Sequence, residues 1–122
     1  MSTWDREIFS ADENADFLDE LAQLEPEEVL EAVNDAVLLA SDGASASEEE
    51  TLNGRAAATI AAIWSGAPFS AGEIADAYPF IRSNPGEVSE QLSESATAVL
   101  EAAQAGGAEA AEDIDQFLEA LA

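Results

Sequence analysis

The stretch SEEETLNGRAAATIAAIWSG, residues 47–66, decides the fold. It is the longest continuous helical signal in the chain, and it has a start, an apolar face and a stop. Ser47 and Glu50 have capping-box spacing, and Glu48, Glu49 and Glu50 fall where the helix dipole favours negative charge. Leu52, Ala56, Ile60, Ile63 and Trp64 recur at helical spacing, with mostly alanine and threonine between them. Small residues nearly all round allow other helices to approach closely. Gly66 supplies the stop, because glycine accepts the left-handed backbone that commonly ends a helix. The expectation is a central Ala-rich helix in a small bundle.

Toward the N-terminus, Pro26 suits the first position of a helix running to about Ala40. Val29, Leu30, Val33, Val37 and Ala40 face inward on it, and Glu27, Glu28, Glu31 and Asp35 face out. SDGASA, residues 41–46, is the loop that follows. Ser10 to Leu24 reads as an earlier helix, with Ser10 as its N-cap and Glu13 completing a capping box. Phe17, Leu18, Leu21 and Leu24 make its apolar stripe, and Asp12, Asp16 and Asp19 lie roughly opposite. Residues 1–9 read as a lead-in segment pinned onto the core by Trp4, Ile8 and Phe9.

Toward the C-terminus, Ala67-Pro68-Phe69 turns the chain, and Ser70 with Glu73 opens a short helix ending at Pro79. Asn84-Pro85-Gly86-Glu87 has the pattern of another helix start, whose apolar face is Val88, Leu92, Val99, Leu100 and Ala103. Gly106-Gly107 breaks it. A last helix, about Ala108 to Leu121, buries Ile114, Phe117, Leu118 and Leu121. No alternating run of branched residues signals a strand. The fold class predicted is all-α: one domain over residues 1–122, a bundle of five to six helices around the Ala-rich one.

Composition narrows the chemistry. The 122 residues are one domain's worth, and 48% hydrophobic residues fit a folded core. With no cysteine and no histidine, disulfides, thiolate metal sites and the usual neutral-pH general base are excluded. A ferritin-like di-iron site, which needs glutamate and histidine three residues apart, is excluded for the same reason. Three arginines stand against 27 carboxylates, for a net charge of −24. Such a chain does not gather phosphates, so direct nucleic-acid binding is excluded, and anionic membrane surfaces repel it. No apolar run approaches the roughly 18 residues of a membrane span, and the opening MSTWDREIFS is not a signal peptide. The expected location is cytoplasmic.

Candidate sites are weighed against plainer roles. Asp12, Asp16 and Asp19, spaced i, i+4 and i+7, are the weak candidates for a divalent-cation site, but one solvated helix face offers few converging oxygens. The runs at Glu48–Glu50 and at Glu109, Glu112 and Asp113 suit the first turns of helices. Glu27, Glu31 and Asp35 sit outside a valine-lined helix. None resembles an acid/base pair, which needs one carboxylate in an apolar pocket. Arg55 is expected to form a structural ion pair, with Asp16 or Glu20 of the neighbouring helix, and Arg82 to neutralise helix-terminal carbonyls. Trp4, Trp64, Phe69, Tyr78 and Phe80 are core aromatics or, alternatively, the lining of an aromatic cleft.

The opening also carries a resemblance. Trp4, Phe9, Asp12, Ala15, Asp16 and Phe17 match the start of a family of uncharacterised bacterial proteins known only as a domain of unknown function. Those proteins typically begin Trp-Gly-x-Gly, then a phenylalanine, a short Asn/Asp-rich step, and Ala-x-Asp-Phe or Ala-Asp-Trp entering a helix. Asp5 and Glu7 stand where the glycines would be. The resemblance implies a compact helical domain and no particular activity.

The function expected is protein–protein interaction, as a monomer or homodimer, with a basic protein as partner, no cofactor and no catalysis. Net charge of this size steers encounter with such a partner. The alternatives are a nucleic-acid mimic that blocks a DNA-binding protein, and a weak divalent-metal-binding protein using Asp12, Asp16 and Asp19.

Overall fold

The capping box at Ser47 forms. Ser47 Oγ accepts from the Glu50 amide at 3.1 Å, and Glu50 Oε1 accepts from the Ser47 amide at 2.9 Å. Two orphan amides at the start of the central helix are thereby satisfied. This computed structural model describes residues 4–41, 47–66, 78, 81, 88–107 and 114–121. Among them are six helices and no strand: α1 (Trp4–Ser10), α2 (Asp12–Ala22), α3 (Pro26–Ser41), α4 (Glu48–Trp64), α5 (Glu90–Ala105) and α6 (Ile114–Leu121). The bundle is all-α. Its centre is α4, which packs against each of the other five.

Composition explains that position. From Gly54 to Ala62, α4 is buried at every residue except Arg55. A helix hydrophobic or small on all sides belongs inside the core rather than on its surface. At Gly66 the backbone turns into the left-handed region (φ 112°), as the sequence requires of a stop there. Its most extensive contact is with α3. A Cβ added at Gly54 would lie 2.0 Å from the Ala40 Cβ and 3.0 Å from the Ala36 carbonyl oxygen. Absence of a side chain at Gly54, opposite two alanines one turn apart on α3, therefore sets how near the two axes come.

From Trp4 onward the lead-in is a helix. In α1, Trp4 and Ile8 fall one turn apart, and both are buried with Phe9. Trp4 Nε1 donates to Thr59 Oγ1 at 2.8 Å, and the Thr59 hydroxyl donates to the Arg55 carbonyl at 2.8 Å. The only polar atom of the indole is thus satisfied inside the core by α4. Ser10 does not cap the next helix, as the sequence suggested, because it is still the last residue of α1. Extended Ala11 (φ −63°, ψ 138°) is the joint, and its carbonyl accepts from Asn14 and Ala15 without any side-chain cap. Asn14, polar by sequence, is fully buried. Its Nδ2 donates to the Ile8 carbonyl at 2.6 Å, fastening α2 back onto the end of α1.

Of the remaining elements, α3 starts at Pro26 and buries Val29, Val33 and Val37. The start of α5 differs from expectation: Ser89 is the N-cap, and its Oγ accepts from the Leu92 amide at 3.0 Å. The Asn84–Glu87 pattern, Arg82, residues 108–113 and the short helix expected from Ser70 to Pro79 lie outside the described residues, except Tyr78, which is not helical. Leu92, Val99, Leu100 and Ala103 of α5 are buried as their spacing predicts, as are Ile114, Phe117 and Leu121 of α6. Ile81 is fully buried as well.

Two substitutions test this packing. Gly54→Ala gains up to about 1 kcal/mol of helix propensity. The overpacking against Ala40 costs typically about 1–3 kcal/mol, so the melting temperature should fall. A rise would show that α3 and α4 do not approach this closely. Thr59→Val should remove the Thr59 acceptor from the buried Trp4 indole N–H, a loss of about 1–3 kcal/mol in chemical denaturation. Thr59→Ser, which keeps the hydroxyl, should lose less. Equal losses in the two variants would remove the hydrogen bond from the account.

Candidate functional site

Every helix from α2 to α6 carries exposed carboxylates, so charge alone does not mark a site. What distinguishes two places is that the carboxylates border a concave surface with an apolar floor. On α3, Glu27, Leu30, Glu31 and Asn34 follow at i, i+3, i+4 and i+7, which puts them on one stripe. That stripe faces Ser89 and Leu92 of α5 across an open groove of about 240 Å³. On α5, Glu90, Ser93, Glu94 and Thr97 repeat the same spacing and face Leu121 of α6 across a second groove of about 390 Å³. Both grooves use the first half of α5, one on each side of it.

Electrostatics at these stripes is one-sided. Glu27 and Glu31, and again Glu90 and Glu94, are exposed like-charge pairs at i, i+4. Each such pair costs a helix about 0.2–0.5 kcal/mol. Glu27 and Glu90 recover part of this from the helix dipole, because they lie in first turns. Glu31 and Glu94 sit one turn deeper, where the dipole helps little. Among the described residues no arginine lines either groove. These grooves are suited to cationic side chains flanking an apolar one.

The sequence-predicted residues are placed as follows. Asp12, Asp16 and Asp19 are exposed on α2, and among the described residues no three carboxylates come together as a metal-holding group. Asp19 instead accepts a 2.5 Å hydrogen bond from the Tyr78 hydroxyl, tying residue 78 to α2. That bond holds the phenol above its ordinary value, and partial burial and the charges of Asp19 and Asp16 push the same way. Trp4 and Trp64 are only 2% and 8% exposed and belong to the core, so neither lines an open cleft. Tyr78 is half-buried, while Phe69 and Phe80 lie outside the described residues.

Arg55 departs from expectation. It forms no ion pair with Asp16 or Glu20, or with any other acid among the described residues. It lines a depression bounded by α3 and α5 instead of reaching α2. The groove-lining pair Glu90 and Glu94 was not singled out by sequence. Its signal was present as two glutamates one turn apart on a helix, but the partner walls come from α3 and α6 and depend on the packing.

An all-α bundle with a central buried helix and an acidic, grooved exterior is the class defined by these features. Within that class, the chain belongs to the family described as Domain of unknown function (DUF4259), whose model matches residues 2–121. No curated protein and no solved structure matches the chain significantly. Among the described residues no helix is long and apolar enough to cross a membrane.

Tyr78 provides a test of the α2 contact, because it is the only tyrosine in the chain. Ultraviolet titration of the phenolate should give a midpoint above the usual value of about 10, and Asp19→Asn should bring it back down. A raised folded value means that the contact's stability is fully present below about pH 10 and is lost as pH rises through the folded midpoint. The wild type and Asp19→Asn should therefore converge in stability above that midpoint. An unshifted midpoint in the wild type would mean that the contact does not persist in solution.

Proposed function

We propose that the protein is a non-catalytic, cytoplasmic interaction module that docks a basic protein partner in the two acidic grooves flanking α5. The observation that carries this reading is the pair of i, i+4 glutamate stripes, Glu27/Glu31 and Glu90/Glu94, each bordering an apolar floor. Lysine or arginine side chains of a partner would relieve the like-charge repulsion within each stripe, and an apolar side chain between them would pack on Leu30 or the exposed edge of Leu121. A net charge of −24 accelerates encounter with a cationic surface over a Debye length of about 10 Å at 0.1 M salt. Carboxylates spread over α2 to α6, with apolar surface between the stripes, favour protein docking over imitation of a phosphate backbone.

The test is an amide-shift titration with a synthetic helical peptide carrying lysines and one leucine at one-turn spacing. The expected result is a saturable shift confined to residues 27–34, 89–97 and 121, weakened at least tenfold between 50 and 500 mM salt. Replacing Glu27, Glu31, Glu90 and Glu94 together by glutamine should abolish it. Shifts spread equally over the aspartates of α2 and the glutamates of α4 would reduce the charge to a solubilising role and reject the reading.

A further inference from the structure

The third depression, about 190 Å³ and distinct from the acidic grooves, has the opposite character. Its described lining is Arg55 and Thr51 of α4, Ala40 and Ser41 at the end of α3, and Ala98, Val99 and Ala102 of α5. Thr51 and Arg55 are one turn apart and so share a face of α4. We propose that this depression binds a small monocarboxylate, its anionic head on Arg55 and its short aliphatic chain against Ala98, Val99 and Ala102.

Three observations meet here. First, Arg55 is half-buried and makes no ion pair or side-chain hydrogen bond with any described residue. A guanidinium presents five N–H donors in a fork that matches a carboxylate bidentately. Its freedom from the carboxylates among the described residues follows from the small, uncharged residues packed around it. Second, the positions of α3 and α5 that face it are small and uncharged, whereas Asp35 on α3 and Glu101 on α5 are exposed. Third, the hydroxyl protons of its neighbours are already committed. Thr51 Oγ1 donates to the Ser47 carbonyl at 2.9 Å, and Ser41 Oγ donates to the Leu38 carbonyl at 2.8 Å. Among the described lining, Arg55 is therefore the donor left to meet an anion, and the alanine and valine wall selects an aliphatic rather than a polyanionic ligand. The negative end of the α3 dipole beside Ser41 favours a cation at this place, but it leaves the guanidinium donors without acceptors. The Gly54 contact one residue away holds α3 and α4 together and fixes the shape of the depression.

A carboxylate of this kind comes either from a free short-chain acid or from the C-terminus of a peptide, and two probes separate them. Butyrate stands for the first and N-acetyl-dialanine for the second, with butyramide as the neutral control and chloride at matched ionic strength as the salt control. The readout is the Arg55 side-chain Nε–Hε signal together with the amides of Ala98 and Ala102. Either carboxylate should give saturable shifts there, and the tighter of the two identifies the source, while butyramide and chloride give none. Arg55→Gln should weaken binding at least tenfold, and Ala102→Leu, at an exposed position that leaves the core untouched, should block it with Arg55 still present. Shifts no larger than those from chloride, or binding that survives both variants, would overturn the assignment.

Discussion

Close approach of α3 and α4 at Gly54 is the contact on which the rest of the structure depends. Two helices can come this near only where neither places bulk between them, and here one contributes glycine and the other Ala36 and Ala40. A glycine inside a helix costs about 1 kcal/mol of propensity. That cost is offset by burying a long stretch of α4 against α3, and the pair then offers its outer faces to α1, α2, α5 and α6. The Trp4–Thr59 bond is a consequence of the same arrangement. It forms because α4 is buried deeply enough for a threonine on it to be the acceptor available to an indole.

With so much alanine, valine and leucine buried on one central helix and its neighbours, none of the carboxylates whose burial is described lies in the core. The exterior therefore owes its overall charge to composition, and its local character to which helices happen to be adjacent. Where α3 and α6 flank α5, glutamate stripes line grooves. Where α3, α4 and α5 meet, the described facing residues are small and uncharged apart from Arg55. Glutamate-lined grooves and an arginine-bearing depression thus share the same helix, α5.

Much of this architecture was legible in the sequence, for identifiable reasons. Local chemistry announces α4 fully, because its cap, its face and its terminating glycine are all encoded within twenty residues. The valines of α3 and the leucines of α5 are at helical spacing and are buried accordingly. By contrast α1 has seven residues, well short of the ~12–15 needed for an isolated helix to be more than marginal, so its helicity comes from packing that no local signal records. The cap of α5 was misplaced because Asn84 and Ser89 are both good N-caps, and only tertiary structure chooses between them. No local signal marks Asn14, which lies among acids, for burial, yet it bonds the end of α1. Site geometry was the least legible part. Glu31, Glu90 and Arg55 are plain in the sequence, but their neighbours are set by helix order and crossing.

The central claim, that α4 is the innermost helix and the bundle assembles on it, is tested most directly by native-state hydrogen exchange. Amides buried on all sides open only when the whole domain unfolds, whereas peripheral helices open locally at lower free energy. Residues 56–62 should then be the slowest in the chain and exchange at the free energy of global unfolding, with α1 and α6 exchanging sooner. Slower exchange in α6 or α1 than in residues 56–62 would contradict the account, because the core would then be organised around a different element.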